Sequence, residues 1–260
     1  MSRQRAFTLI ELLVVIAIIA VLMSILIPSL NKAKVQVKAI LCRSNLHQWG
    51  LVMQLYTSDN RELFPADMGN AKYAALGRPE LKEYFKIDKM LLCPMATKTY
   101  EDGAENPFGA WRGDDADDPL GNLPCSYGIN SWIVSKPCAS GTTEDRIWRT
   151  PNAKEAANAP MILDCAGYEN ACPWEVDLPP AYDGEFIRGT NDDEMKYLCL
   201  NRHDEYTNAV FLDFSARRVG LKQLWTLKWN RKYNTCGPWT ICGGVTPDAW
   251  PEWMRHMKDY

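Results

Sequence analysis

Phe7-Thr8-Leu9-Ile10-Glu11 opens an apolar run that continues to Ile27 and reads FTLIELLVVIAIIAVLMSILI. Glu11 is its one charge, and Thr8 and Ser24 are its other polar side chains. Its length is close to the about 20 residues with which a helix spans the hydrocarbon layer of a bilayer. A carboxylate at that depth costs about 2.5–3.5 kcal/mol on insertion scales, so it requires a partner and a purpose. Arg3 and Arg5 flank the run on its N-terminal side, which the positive-inside tendency places in the cytoplasm. The bulk of the chain is therefore expected across the inner membrane, as a single-pass protein with a periplasmic head. A secretory signal is the alternative, but its apolar core is shorter and a small-x-small cleavage site follows it. Here Pro28-Ser29-Leu30-Asn31-Lys32 follows, and the helical pattern runs on.

Working outward, Val37, Ile40, Leu41, Leu46, Trp49, Val52, Met53 and Tyr56 recur at three- and four-residue steps. That spacing predicts an amphipathic helix. Lys32, Lys34, Lys38, Arg43, His47 and Gln48 fill its other faces, and Ser58-Asp59-Asn60, with Pro65 soon after, ends it. One helix over residues 7–57 is about 75 Å long at about 1.5 Å per residue. Four segments are expected: a cytoplasmic leader at 1–6, a transmembrane or filament-core helix at 7–28, its amphipathic continuation at 29–58, and a head at 59–260. The fold class is α+β, a long N-terminal helix packed on a loop-rich head with a small antiparallel β-sheet.

Arg5-Ala6-Phe7-Thr8-Leu9-Ile10-Glu11 closely resembles the processing site of type IV pilins and type II secretion pseudopilins. The resemblance implies cleavage between Ala6 and Phe7 by a prepilin peptidase, N-methylation of Phe7, and a docking role for Glu11 in a helical filament. Pro28 falls where family members often carry a helix-bending proline. The family usually has Gly before the cut, and this chain has Ala6. In the mature helix the next cationic side chain after Glu11 is Lys32. A free amine on Phe7, from the same subunit or its neighbour, is the natural counter-charge, and in lipid that pair gains more than at a wet surface. An isolated membrane anchor whose Glu11 snorkels to the interface is the plainer alternative.

Further patches are similar to a large bacterial subgroup of pilin-like proteins: Cys42-Arg43-Ser44-Asn45-Leu46, Tyr56 with Asp59-Asn60, Leu92-Cys93-Pro94, Ser126-Tyr127-Gly128-Ile129-Asn130, and Pro160-Met161-Ile162-Leu163-Asp164. The subgroup's C-terminal processing-associated motif is His, nine residues, Asp-Gly. Here it reads His203, nine residues, Asp213, then Phe214. Ala209-Val210-Phe211-Leu212 is strand-prone and Arg217-Arg218-Val219-Gly220-Leu221 is its expected hairpin partner. Phe214 tolerates positive φ poorly, so a turn widened over Ser215 and Ala216 is expected. His203 is expected to bond the backbone near Asp213 and hold that hairpin, with a catalytic His-Asp dyad as the alternative.

The formal charge is −3, and it becomes −5 when the leader takes Arg3 and Arg5 away. Basic residues are scattered among acidic ones, which leaves no stripe for nucleic acid. The nine cysteines include no Cys-x-x-Cys, and only three histidines are present, so a zinc cluster is not expected. Disulfides in an exported head are the simpler account. Spacing does not fix connectivity; the trial pairing is Cys42–Cys93, Cys125–Cys138, Cys165–Cys172 and Cys236–Cys242, leaving Cys199. Cofactors are not expected, calcium being the one ion suggested, by the acidic loops Asp114-Asp115-Ala116-Asp117-Asp118 and Asn191-Asp192-Asp193-Glu194. Neither loop has EF-hand spacing.

Trp225, Trp229, Trp239, Trp250 and Trp253 crowd the C-terminus and are expected to pack the end of the head. Exposed, they would instead stack on sugars, which defines the alternative of a minor tip subunit or adhesin. No Gly-x-Ser-x-Gly elbow or phosphate loop suggests an enzyme. The leading expectation is a non-enzymatic structural subunit of a pilus or pseudopilus. Its partners would be a prepilin peptidase, other pilin-like subunits, the inner membrane and a secretion or pilus-assembly machinery.

Overall fold

A computed structural model describes residues 9–66, 76, 79–86, 88–99, 101–104, 107–111, 124–137, 143–166, 170–185 and 193–260. The chain divides into two compact units at Val37/Lys38. Helix α1 runs Leu9–Asp59 with Pro28 inside it. Pro28 has no N–H to give the Ser24 carbonyl, and the helix continues past it. From Leu9 to Leu30 the large apolar side chains stand exposed, among them Ile10, Val14, Ile18, Val21, Ile25 and Leu30. This is the one helix among the described residues that is long and apolar enough to cross a membrane.

The second unit begins within the helix. Cys42, Leu46, Trp49 and Met53 step by four, three and four residues, and all are fully buried in the head's core. Val37, Ile40 and Leu41, expected on the same stripe, are at least half exposed. At about 100° per residue Ile40 lies some 200° around the helix from Cys42, on the opposite face. The helix ends where the sequence indicated: Asn60 N and its side-chain Nδ2 both donate to the Tyr56 carbonyl, at 3.0 and 2.8 Å.

The head carries helix α2 (Pro79–Lys82), a parallel pair β1 (Lys98–Thr99) and β2 (Gly109–Ala110), and a five-stranded sheet. That sheet comprises β3 (Tyr127–Asn130), β4 (Pro160–Asp164), β5 (Asn170–Ala171), β6 (Tyr206–Phe211) and β7 (Ala216–Gly220), in the order β5-β3-β4-β6-β7. Its pairings are antiparallel except β3–β5. The α+β class therefore holds, with a parallel edge added. β4 is the middle strand and is buried on both faces, as an unbroken apolar run favours. Its Pro160 starts the strand, where a missing donor costs least, and the register slips just after it. Buried Asn130 ties the sheet to the C-terminal segment, donating to the carbonyls of Pro160 at 2.9 Å and Trp229 at 2.8 Å.

The hairpin β6–β7 forms as expected, one residue earlier on its second strand, with Val210 opposite Ala216. Its turn differs from expectation. Phe214 itself adopts φ +62°, the conformation glycine would take, and Asp213 Oδ1 caps it by accepting from Ser215 N at 3.0 Å and Oγ at 2.6 Å. Gly50 of α1 lets this turn approach the helix: a Cβ there would lie 2.9 Å from Val210 Cγ2 and 3.1 Å from the Phe214 carbonyl.

All ten tryptophans are buried or half-buried. Trp225 donates to the Asp177 carbonyl, Trp229 to that of Leu224 and Trp253 to that of Pro180, at 2.8–2.9 Å. Within the C-terminal cluster Trp225, Trp229 and Trp250 are buried and pack the end of the head, as expected, while Trp239 and Trp253 are half-buried against it.

Candidate functional site

Four side chains far apart in sequence meet inside the head: Cys42 on α1, Cys93 in the loop after α2, Asp164 at the end of β4, and His203 in the loop before β6. Each is placed by its own element. Cys42 lies on the buried stripe of the helix. Cys93 is held by its backbone N–H, which donates to Ser126 Oγ at 2.6 Å. Asp164 pairs across the sheet with Tyr127. His203 precedes Asp204 and Glu205, which both take positive φ, and Asn201 Oδ1 accepts from Glu205 N at 2.7 Å to fix that turn.

The donor atoms converge. His203 Nε2 lies 3.2 Å from Asp164 Oδ2 and 3.3 Å from Cys93 Sγ, and Cys42 Sγ lies 3.5 Å from Asp164 Oδ2. One ligand atom from each of the four residues lies within 4.8 Å of the others, and all four residues are buried. Tyr127 OH stands 3.4 Å from Cys42 Sγ. Asp164 Oδ2 also accepts from Thr207 Oγ1 at 3.4 Å and from Asn208 N at 3.3 Å.

Arg202 closes the site from below with every guanidinium hydrogen directed at an acceptor. Nε donates to the Pro107 carbonyl (2.8 Å), and Nη1 to the Ser126 carbonyl (2.9 Å) and Asp164 Oδ1 (3.3 Å). Nη2 donates to the carbonyls of Gly109 (2.8 Å) and Cys165 (2.9 Å). Burial alone would push the Asp164 carboxyl up, but His203 and Arg202 outweigh it and hold the group well below the usual carboxylate range. Burial likewise opposes the charged form of His203, and Asp164 overrides it and raises the imidazole to about 10. Burial pushes the Cys93 thiol and the Tyr127 phenol far up.

Several expectations are corrected here. His203 pairs with Asp164, neither with Asp213 nor with the hairpin turn. The nine-residue interval is the length of β6 with its flanks, and it puts His203 and Asp213 at opposite ends of a strand about 20 Å long at about 3.3 Å per residue. Cys42 and Cys93 are not a disulfide but two free cysteines in one cluster, and Cys165 and Cys172 do not pair with each other. Cys236–Cys242 is a disulfide, and Cys199 is a free, buried thiol. Cys138, the intended partner of Cys125, lies outside the described residues, as do Ala6, Phe7, the 114–118 cluster and residues 191–192. Asp193 and Glu194 accept backbone N–H groups of Leu178 and Cys172, so their oxygens serve the fold. Four ligand-type side chains gather here although the sequence offers no Cys-x-x-Cys spacing. Separations of 51, 71 and 39 residues leave no local spacing for sequence to detect.

Cys93, His203 and Asp164 also have the composition of a nucleophile–base–acid triad. In such a triad the acid meets one ring nitrogen and the nucleophile the other. Here both meet Nε2, and Nδ1 has no hydrogen-bond partner among the described residues. The donors surround one point and do not form a relay.

At the other end of the chain, residues 1–27 match the family described as the prokaryotic N-terminal methylation motif. No curated protein and no solved structure matches the chain. The motif and the apolar helix that begins within it support a pilin-like subunit processed by a prepilin peptidase. Glu11 stands in the first turn of α1.

Proposed function

We propose that this chain is a non-enzymatic structural subunit of a type II secretion-like pseudopilus, cut between Ala6 and Phe7, N-methylated on Phe7, and polymerised through its N-terminal helix. The match of residues 1–27 to the methylation motif is the observation that carries this function. Glu11 docks on the Phe7 amine of a neighbouring subunit, where the positive end of the helix also favours a carboxylate. Before assembly the same helix holds the protein in the inner membrane with the head outside the cytoplasm. The exposed apolar residues of Leu9–Leu30 support a helix whose solvent is lipid first and other helices later. Ile40, Leu41, Leu51 and Leu55 are also left exposed by the head and offer apolar surface to a neighbouring subunit.

Mass spectrometry of the mature N-terminus tests the processing: methyl-Phe7 is expected, and an intact Met1 reduces the protein to an anchored head. Imaging a Glu11→Ala strain tests the docking, since filaments of normal number and length would remove Glu11 from assembly.

A further inference from the structure

We propose that Cys42, Cys93, Asp164 and His203 form a structural zinc site that staples the helix to the head.

Geometry is the first reason. Zinc bonds of about 2.3 Å to sulfur and about 2.0–2.2 Å to nitrogen or oxygen give a tetrahedron with edges of about 3.3–3.8 Å. Three of the six edges among His203 Nε2, Asp164 Oδ2, Cys93 Sγ and Cys42 Sγ measure 3.2, 3.3 and 3.5 Å, close to that spacing, and the group lies within 4.8 Å. Convergence on the single atom Nε2 is what a shared ion demands and what a proton relay does not use.

Charge is the second reason. On binding, Cys42 and Cys93 each release a thiol proton and His203 ligates through an unprotonated Nε2. Two thiolates, one carboxylate, one zinc ion and the Arg202 guanidinium then sum to zero inside a dry core. Without the ion, the Asp164 carboxylate, the Arg202 guanidinium, the His203 ring and two thiols share one buried space.

The outer shell is the third reason. Tyr127 OH is positioned to donate to Cys42 Sγ, and Arg202, Thr207 and Asn208 N hold the carboxylate of Asp164. Such partners orient first ligands and set their basicity. Four protein ligands and full burial leave no open coordination position, which assigns the ion a structural role. Thiolates select a soft or borderline ion over calcium or magnesium.

The test uses the full-length chain, free of any metal-binding tag and purified in detergent, with metal content measured by mass spectrometry and the zinc edge by X-ray absorption. One zinc per chain with a shell of two sulfurs and two nitrogen or oxygen atoms is expected. Cobalt replacing the zinc should give the intense visible bands of a tetrahedral, thiolate-bound ion. Both measurements stand without any variant. Cys93→Ser is expected to lose the zinc; because it can also unfold the head, its result counts when near-ultraviolet circular dichroism is retained. Only traces of metal, a bound metal without sulfur ligands, or Cys42 joined to Cys93 in a non-reducing peptide map would each overturn the proposal.

Discussion

Replacing Arg202 by lysine should be among the most damaging single changes to the head, although it preserves the charge. The guanidinium offers five N–H donors, and all five meet acceptors in a fully buried setting: four backbone carbonyls and Asp164. An ammonium offers three donors from one point. At least two buried acceptors would lose their partner, at about 1–3 kcal/mol each, which predicts a loss of about 2–6 kcal/mol. A domain of this size shifts by about 2–4 °C per kcal/mol, so the melting temperature should fall by about 4–24 °C. Urea unfolding of the full chain in detergent, followed by tryptophan fluorescence, measures the loss, since nearly all the indoles report on the core. A loss under about 1 kcal/mol with an unchanged denaturant slope would refute the idea that Arg202 holds these five groups together.

Other residues give independent tests. Burial raises the Asp177 carboxyl to about 7, against the N–H groups of Trp174 and Met195 that it accepts, with Asp193 and Glu194 adding to the rise. Its unfolded value is about 3.9, so the folded state holds the extra proton between these limits and stability falls as pH climbs from about 4 to 7. Asp177→Asn keeps an acceptor oxygen, so it should gain up to about 4 kcal/mol over wild type at pH 8 and nothing near pH 4; a pH-independent difference in melting temperature would contradict the assignment. Gly50→Ala should cost about 1–3 kcal/mol through its contacts with Val210 and the Phe214 carbonyl, and should speed amide exchange in 206–220 before the rest of the sheet. Trp49→Phe removes the N–H that reaches the Met90 carbonyl at 2.7 Å while keeping an aromatic ring against Phe85, and a loss of about 1–3 kcal/mol by thermal melting is expected.

The cysteines show how far local patterns carry. Cys236 and Cys242 are six residues apart and form the bridge that the trial pairing placed there, although spacing alone does not fix connectivity. Cys42 and Cys93 were rightly drawn together, but as a disulfide, because sequence contained no sign that Asp164 and His203 arrive at the same place. Leu92-Cys93-Pro94, the Cys42 helix patch, the run ending at Asp164 and His203 each stand out as separate motifs in the sequence. Each contributes one side chain to a single cluster, and the coordinates alone reveal it. Arg202 has no sequence signature, since its partners are mostly backbone carbonyls, which carry no residue-type signal.

The sequence by itself determined the N-terminal helix, its charge at Glu11, its end near Asp59, a hairpin joining residues 209–212 to 217–221 and the α+β class. These rest on periodicity and turn chemistry within a few neighbouring residues, where the next side chain is fixed by the last. Tertiary structure alone decided which helix face meets the head, that the turn places φ +62° on Phe214, that His203 faces Asp164 and not Asp213, and that four ligand-type atoms share one buried point. Those outcomes depend on which strands become neighbours, and chain closure over tens of residues leaves no periodic trace in the sequence.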